Sequence, residues 1–97
     1  MNYCYILFSP SLKKFYTGIT QESVASRLQK HNFHFYGNHH FTAKASDWEL
    51  FLTIEVNSFS HARRIELYIK RMKSSSFIRK LKENPEQLKT LIQRTMV

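Results

Sequence analysis

Alternation of apolar and polar residues is strictest from Trp48 to Val56. Trp48, Leu50, Leu52, Ile54 and Val56 share one parity, and Glu49, Thr53 and Glu55 lie on the other. That two-residue period predicts a strand with one face on a core. Near the start of the chain, Tyr3, Tyr5 and Leu7 alternate with Cys4, Ile6 and Phe8, so both parities are apolar. Such a strand is expected to be central and covered on both faces. Ser9-Pro10-Ser11-Leu12-Lys13-Lys14 has turn chemistry and Phe15-Tyr16-Thr17 resumes the extended pattern, which makes the first two strands a hairpin that Gly18-Ile19-Thr20 then leaves.

Elsewhere the period is helical. Thr20 or Ser23 can cap a helix running to about Asn32, with Val24, Ala25 and Leu28 inward and Arg27 and His31 on an adjacent stripe. Asn57-Ser58 offers the cap for a helix from about Phe59 to Lys73, whose apolar stripe is Ala62, Ile65, Ile69 and Met72. Ser74-Ser75-Ser76 interrupts the pattern; Phe77, Ile78 and Leu81 support a short helix to about Glu83, and Pro85 suits the first turn of another carrying Leu88, Leu91 and Ile92. The residues from Phe33 to Asp47 have no clean period and read as a long loop of the kind that often carries function. The expected fold is α+β, β-β-α-β-α, with a three-stranded mainly antiparallel sheet flanked by helices and an extra C-terminal helix. Residues 1–83 form the domain and 84–97 a helical extension of it.

Length and charge narrow the picture further. A chain of 97 residues can bury one core and excludes a pair of linked domains. Two glycines, two prolines and 42% hydrophobic residues argue against extended disorder. Fifteen Lys and Arg against seven Asp and Glu give +8, which points to a polyanion or an anionic membrane surface, nucleic acid being the commoner partner. The lone Cys4 cannot form an intramolecular disulfide and sits in an apolar run, as a buried thiol of a reducing compartment would; the cytoplasm is the expected location. No apolar stretch approaches the roughly 20 residues that span a bilayer.

Cutting a phosphodiester requires a proton acceptor for water, positive charge at the phosphate and a carboxylate for a divalent cation. Tyr5, Tyr16, Arg27, His31 and Glu66 supply those types, in that order along the chain. Taken singly, the tyrosines read as cross-strand partners, Arg27 and His31 as a solvated helix face, and Glu66 as half of an i,i+4 pair with Lys70. Lys30, Lys44, Arg63, Lys70 and Lys73 belong to a dense basic supply suited to phosphates. Phe33, Phe35, Tyr36, His39, His40 and Phe41 could stack on unpaired bases or pack over the core. His34, His39 and His40, with one cysteine and no regular spacing, do not make a zinc pattern and are expected near DNA or solvent.

Tyr3-Cys4-Tyr5, Tyr16-Thr17-Gly18, Arg27-Leu28-Gln29-Lys30-His31-Asn32 and the helix from Ala62 to Lys70 together resemble the signature of the GIY-YIG nuclease superfamily, in particular small stand-alone proteins related to the N-terminal domain of the UvrC repair endonuclease. Tyr3 and Cys4 stand in place of glycine and isoleucine, Thr17 in place of isoleucine, and no asparagine follows the glutamate near Phe77-Ile78. The resemblance implies an endonuclease in DNA repair or recombination. Glu66 would bind one Mg²⁺ or Mn²⁺, Arg27 would stabilise charge at phosphorus, and the tyrosines would lie near the water, with His31 orienting one or taking the proton. Because a free phenol has a pKa near 10, the tyrosine acting as base is expected to have it lowered by Arg27 or the metal. The implied substrate is DNA, with RNA as a possibility and a protein partner supplying specificity as another. The competing reading is a non-catalytic or partner-dependent nucleic-acid-binding module on the same scaffold.

Overall fold

The computed structural model describes residues 1–96; residue 97, the end of the expected extension, lies outside them. Three strands, β1 (Asn2–Ser9), β2 (Lys14–Thr20) and β3 (Glu49–Val56), form an antiparallel sheet in the order β2-β1-β3. The apolar β1 is therefore the central strand, as its two apolar parities require. Four helices complete the fold among the described residues: α1 (Val24–Asn32), α2 (Phe59–Met72), α3 (Ser75–Glu83) and α4 (Pro85–Thr95).

Each face of the sheet has its own core. Cys4 and Ile6 of β1 and Ile54 and Val56 of β3 bury against Ala62, Ile65 and Ile69 of α2, with Ile78, Leu81 and Leu91 of the last two helices closing the layer. On the opposite face Tyr5 and Leu7 pack with Val24 and Trp48, flanked by Tyr16, Leu28, Phe41 and Ala45. The side chains of Ser23, Ser58, Ser74 and Asn84 accept from backbone N–H groups in the first turns of α1 to α4, replacing donors' missing intrahelical partners. The buried His61 Nε2 donates to the carbonyl of Ile92, which fastens α4 to α2.

Three expectations are corrected. Trp48 does not share a face with Ile54 and Val56, because the β1–β3 register slips between Ile6 and Leu7, pairing Ile6 with Leu52 and Leu7 with Leu50. An extra residue in one strand reverses the parity beyond it, so Trp48 joins the Tyr5 side and Leu50 is left 46% exposed. In α1 the inward stripe is Val24, Leu28 and the buried His31, with Arg27 half-buried beside it, and Ala25 is exposed. The turn from Val24 places residues three, four and seven positions later inward and rotates Ala25 away. In α2 the buried stripe takes Glu66 alongside Ile65 and Ile69, and Met72 is 45% exposed at the last turn.

The segment expected as a loop has structure of its own. It contains a 3₁₀ turn, Phe41–Lys44, and crosses the Tyr5 face. Its ends are tied down. Asn32 pairs with both backbone groups of Trp48, its Nδ2 donating to the carbonyl at 3.0 Å and its Oδ1 accepting from the N–H at 2.8 Å. The Trp48 indole N–H donates to the carbonyl of Thr42 at 2.8 Å. These bonds fix the segment over the sheet and so place Thr42 and its neighbours.

Candidate active site

Strand register brings the two tyrosines together. Tyr5 lies opposite Gly18 and Leu7 opposite Tyr16, so Tyr5, Gly18 and Tyr16 share a face, with ring centroids of the tyrosines 6.5 Å apart. Tyr5 lies directly over Gly18. A Cβ at that position would stand 2.6 Å from Tyr5 Cζ and from its hydroxyl oxygen. The glycine is needed for close approach, not for its own dihedral freedom.

From Tyr5 a chain of hydrogen bonds runs through α1 into the 3₁₀ turn. Arg27 Nε donates to the Tyr5 hydroxyl at 3.4 Å, Tyr5 meets His31 Nε2 at 2.9 Å, His31 Nδ1 meets Thr42 Oγ1 at 2.8 Å, and Thr42 Oγ1 meets His40 Nδ1 at 3.0 Å. Its two ends set the direction. Arg27 can only donate, so the Tyr5 hydroxyl accepts there and gives its own proton to His31 Nε2. His40 Nδ1 also accepts the Thr42 backbone N–H, so it is the unprotonated nitrogen and Thr42 donates to it. His31 is then the Nδ1–H tautomer, with Nε2 as the acceptor facing Tyr5.

The electrostatics agree with that assignment. Burial, followed by the positive field of Arg27 and the neighbouring His40, pulls the His31 pKa down to about 4, which keeps the imidazole neutral at pH 7. Burial pushes the Tyr5 phenol up to about 12 despite the Arg27 hydrogen bond, and burial together with the Glu66 charge raises that of Tyr16. The expected lowering of a tyrosine by Arg27 is therefore reversed. Desolvation of the phenolate outweighs one long hydrogen bond from a half-exposed guanidinium. Among these groups the uncharged base is His31.

Glu66 stands on the inward side of α2, 5% exposed, and its charge is felt at Tyr16 and at the buried Cys4 thiol, whose pKa burial raises to about 12. Its Oε1 accepts from Arg63 Nη1 at 2.5 Å and its Oε2 from Lys70 Nζ at 3.0 Å. Lys70 Nζ also lies 6.0 Å from the centre of the Tyr16 ring, so the carboxylate cluster and the tyrosine border the same space. A hard divalent cation often takes one or two carboxylates and completes its sphere with water and phosphate oxygen. Glu66 is the one buried carboxylate among the described residues that such an ion could use, and both of its oxygens are held by Arg63 and Lys70. No group of three His, Cys, Asp or Glu suited to a metal occurs among the described residues.

The basic residues chosen from sequence divide into two groups. Arg63 and Lys70 are paired with Glu66, and Lys30 with Glu22 at 3.0 Å. Lys44 lies over the Phe41 ring, and Lys73 caps α2 with a left-handed backbone; neither has a salt bridge among the described residues. Sequence reasoning missed Thr42 and its bond to His40, which is partly exposed and lies beside Tyr16 with ring centroids 5.6 Å apart. Of the two roles open to Tyr36, stacking on bases or packing within the fold, the structure shows the packing. The Tyr36 ring packs against His31 at 4.8 Å and under the Arg27 guanidinium at 4.8 Å, and its hydroxyl is buried without a hydrogen-bond partner. The available signal was the crowd of His and aromatic residues in an aperiodic segment just after His31. His34 has a structural role instead, its Nε2 lying 3.1 Å from the carbonyl of Ala45.

The fold is a small α+β domain whose central strand carries Tyr5, whose neighbouring strand carries Tyr16, and whose helices add Arg27, His31 and an inward Glu66. A family model described as the GIY-YIG catalytic domain matches residues 1–82, and the chain belongs to that family, an endonuclease superfamily. A search of curated proteins gave no match, and neither did a search of solved structures. No helix among the described residues is long and apolar enough to cross a membrane.

Proposed function

We propose that the protein is a Mg²⁺- or Mn²⁺-dependent endonuclease that hydrolyses DNA phosphodiesters, leaving a 5′ phosphate, with selection by DNA structure more than by sequence, and that it serves repair or recombination in the cytoplasm. The oriented chain from Arg27 through Tyr5 to a neutral His31 carries this reading. A water beside Tyr5 can lose its proton to the hydroxyl oxygen while the hydroxyl passes its own proton to His31 Nε2. No free phenolate is needed in that relay, which suits a phenol pushed up to about 12. The resulting imidazolium shares its Nδ1 proton with Thr42, whose hydroxyl leans on His40. Arg27, adjacent to the hydroxyl, presents a charge-fixed fork of donors to the phosphate as negative charge builds on it.

Glu66 would hold the divalent cation, which when bound supplies charge neutralisation at a non-bridging oxygen and at the departing 3′ oxygen. Arg63 and Lys70 neutralise that carboxylate in the absence of substrate, and incoming phosphates give both cations a second partner. The same pairing supports a second reading, a binding module in which Glu66 stays locked in its salt bridges. Nicking of plasmid and branched DNA with and without Mg²⁺ separates the two. The nuclease reading expects metal-dependent nicks that Glu66→Gln reduces by about 100-fold or more, the scale of losing a principal electrostatic group. Salt-sensitive binding with no nicking would favour the module, and unchanged nicking in Glu66→Gln would remove Glu66 from the chemistry.

A further inference from the structure

Beside Tyr16, between the β1–β2 hairpin and the junction of α2 with α3, lies a cleft of about 360 Å³. Ligand sites typically occupy roughly 300–1,000 Å³. Its lining combines the half-buried Phe15 and the edges of the buried Ile69 and Ile78 with Lys13, Lys14, Lys70 and Lys73; no carboxylate is among the residues lining it. An aromatic ring beside several ammonium groups complements a nucleobase bearing phosphates on either side. The cleft also shares Tyr16 and Lys70 with the candidate active site, so the two adjoin.

The backbone supplies an independent observation. Lys13 in the hairpin turn has φ of 54° and Lys73 at the end of α2 has φ of 49°. Both are left-handed positions, where glycine is unstrained and a lysine is not. The described chain has three non-glycine residues with positive φ, and two of them stand on this rim. Strain of this kind concentrates where a side chain is needed for a ligand.

We propose that the cleft receives an unpaired nucleotide adjoining the scissile phosphate, with its base against Phe15 and its flanking phosphates on Lys13 and Lys73. A base stacked and paired within a duplex cannot enter, so the site selects DNA that has lost pairing at the point of cleavage. This assignment rests on the nuclease reading and names its substrate class.

The test uses fluorescence anisotropy in EDTA, which measures binding without cleavage, on an intact duplex and on the same duplex with a short single-stranded gap. The full chain is compared with the K13G/K73G double variant. Glycine at both left-handed positions leaves the melting temperature unchanged or higher, so a folding defect does not confuse the result. The parent is expected to bind gapped DNA about tenfold tighter than duplex, the scale of one base stacked on a platform. In K13G/K73G that preference is expected to fall below about threefold, and oligo-dT is expected to displace the gapped probe where polyglutamate of equal charge does not. Equal affinity of the parent for both DNAs, an undiminished preference in the variant, or displacement by polyglutamate as effective as by oligo-dT overturns the assignment, the last pointing to an acidic protein partner. Failure of the nuclease reading has a different signature. A gap preference that the variant loses, in a protein that makes no Mg²⁺-dependent nick, keeps the cleft assignment and removes the chemistry.

Discussion

Gly18 shows how much one residue can carry without a side chain. The Tyr5 ring occupies the space where a Cβ would be, at 2.6 Å. Gly18→Ala must therefore push the tyrosine from its place against His31, and an overpacked site of this kind is expected to lose about 1–3 kcal/mol. Urea unfolding of the variant measures it, and a loss below a few tenths of a kcal/mol would mean the ring has room to move. His31 makes a second residue-scale prediction. Its unfolded pKa is near 6.5 and its folded pKa about 4, so the folded value is the lowered one. The stability this contributes is complete above about pH 6.5 and is lost as pH falls through about 4, because the unfolded chain takes the proton first. Unfolding midpoints between pH 7 and 4 should therefore fall less steeply in His31→Gln than in the parent; parallel slopes would contradict a neutral buried imidazole. The sequence named Tyr5, Tyr16, Arg27, His31 and Glu66, because residue types at fixed spacing survive in one dimension. It did not reveal that burial would raise the phenols, since desolvation depends on what the loop lays over them.

Regular elements were legible where their periods were clean. The hairpin, the central β1, the Trp48 to Val56 strand and the helices begun by serine caps all lie close to where alternation and capping put them. The departures have local causes. A register slip opposite Leu50 to Leu52 reversed the parity of Trp48, and parity is a pattern that a single inserted residue destroys. The segment after His31 has no period because its order comes from tertiary bonds, Asn32 to Trp48 and Trp48 to Thr42, which no local pattern encodes. Thr42 and His40 were hidden for that reason. The last helix is a different case, amphipathic in sequence and joined to the main core through Leu91, which is 3% exposed. Leu91→Ala is expected to cost about 2–5 kcal/mol, lowering the single unfolding transition as a whole. A transition of unchanged midpoint would show that α4 is an appendage and not part of the domain.

At the scale of the whole molecule, a basic chain of +8 sets its two signature tyrosines and its neutral histidine on one face of a three-stranded sheet and Glu66, the one buried carboxylate among the described residues, on the helix covering the other face, the two meeting at Tyr16 through Lys70. The GIY-YIG catalytic domain match spans 1–82 and so includes every one of those residues. What distinguishes a working relay from a collection of buried polar groups is that its members act as a unit. The measurement that tests this most directly is the single-turnover rate of Mg²⁺-dependent nicking in the parent, Tyr5→Phe, His31→Gln and the double variant. Each single change is expected to slow cleavage by about 100-fold, within the range for a general acid–base group, and the double variant to be no slower than the slower single one, since breaking a relay twice costs no more than breaking it once. Losses that multiply in the double variant, or singles that cleave at the parental rate, would contradict a proton path from Tyr5 to His31.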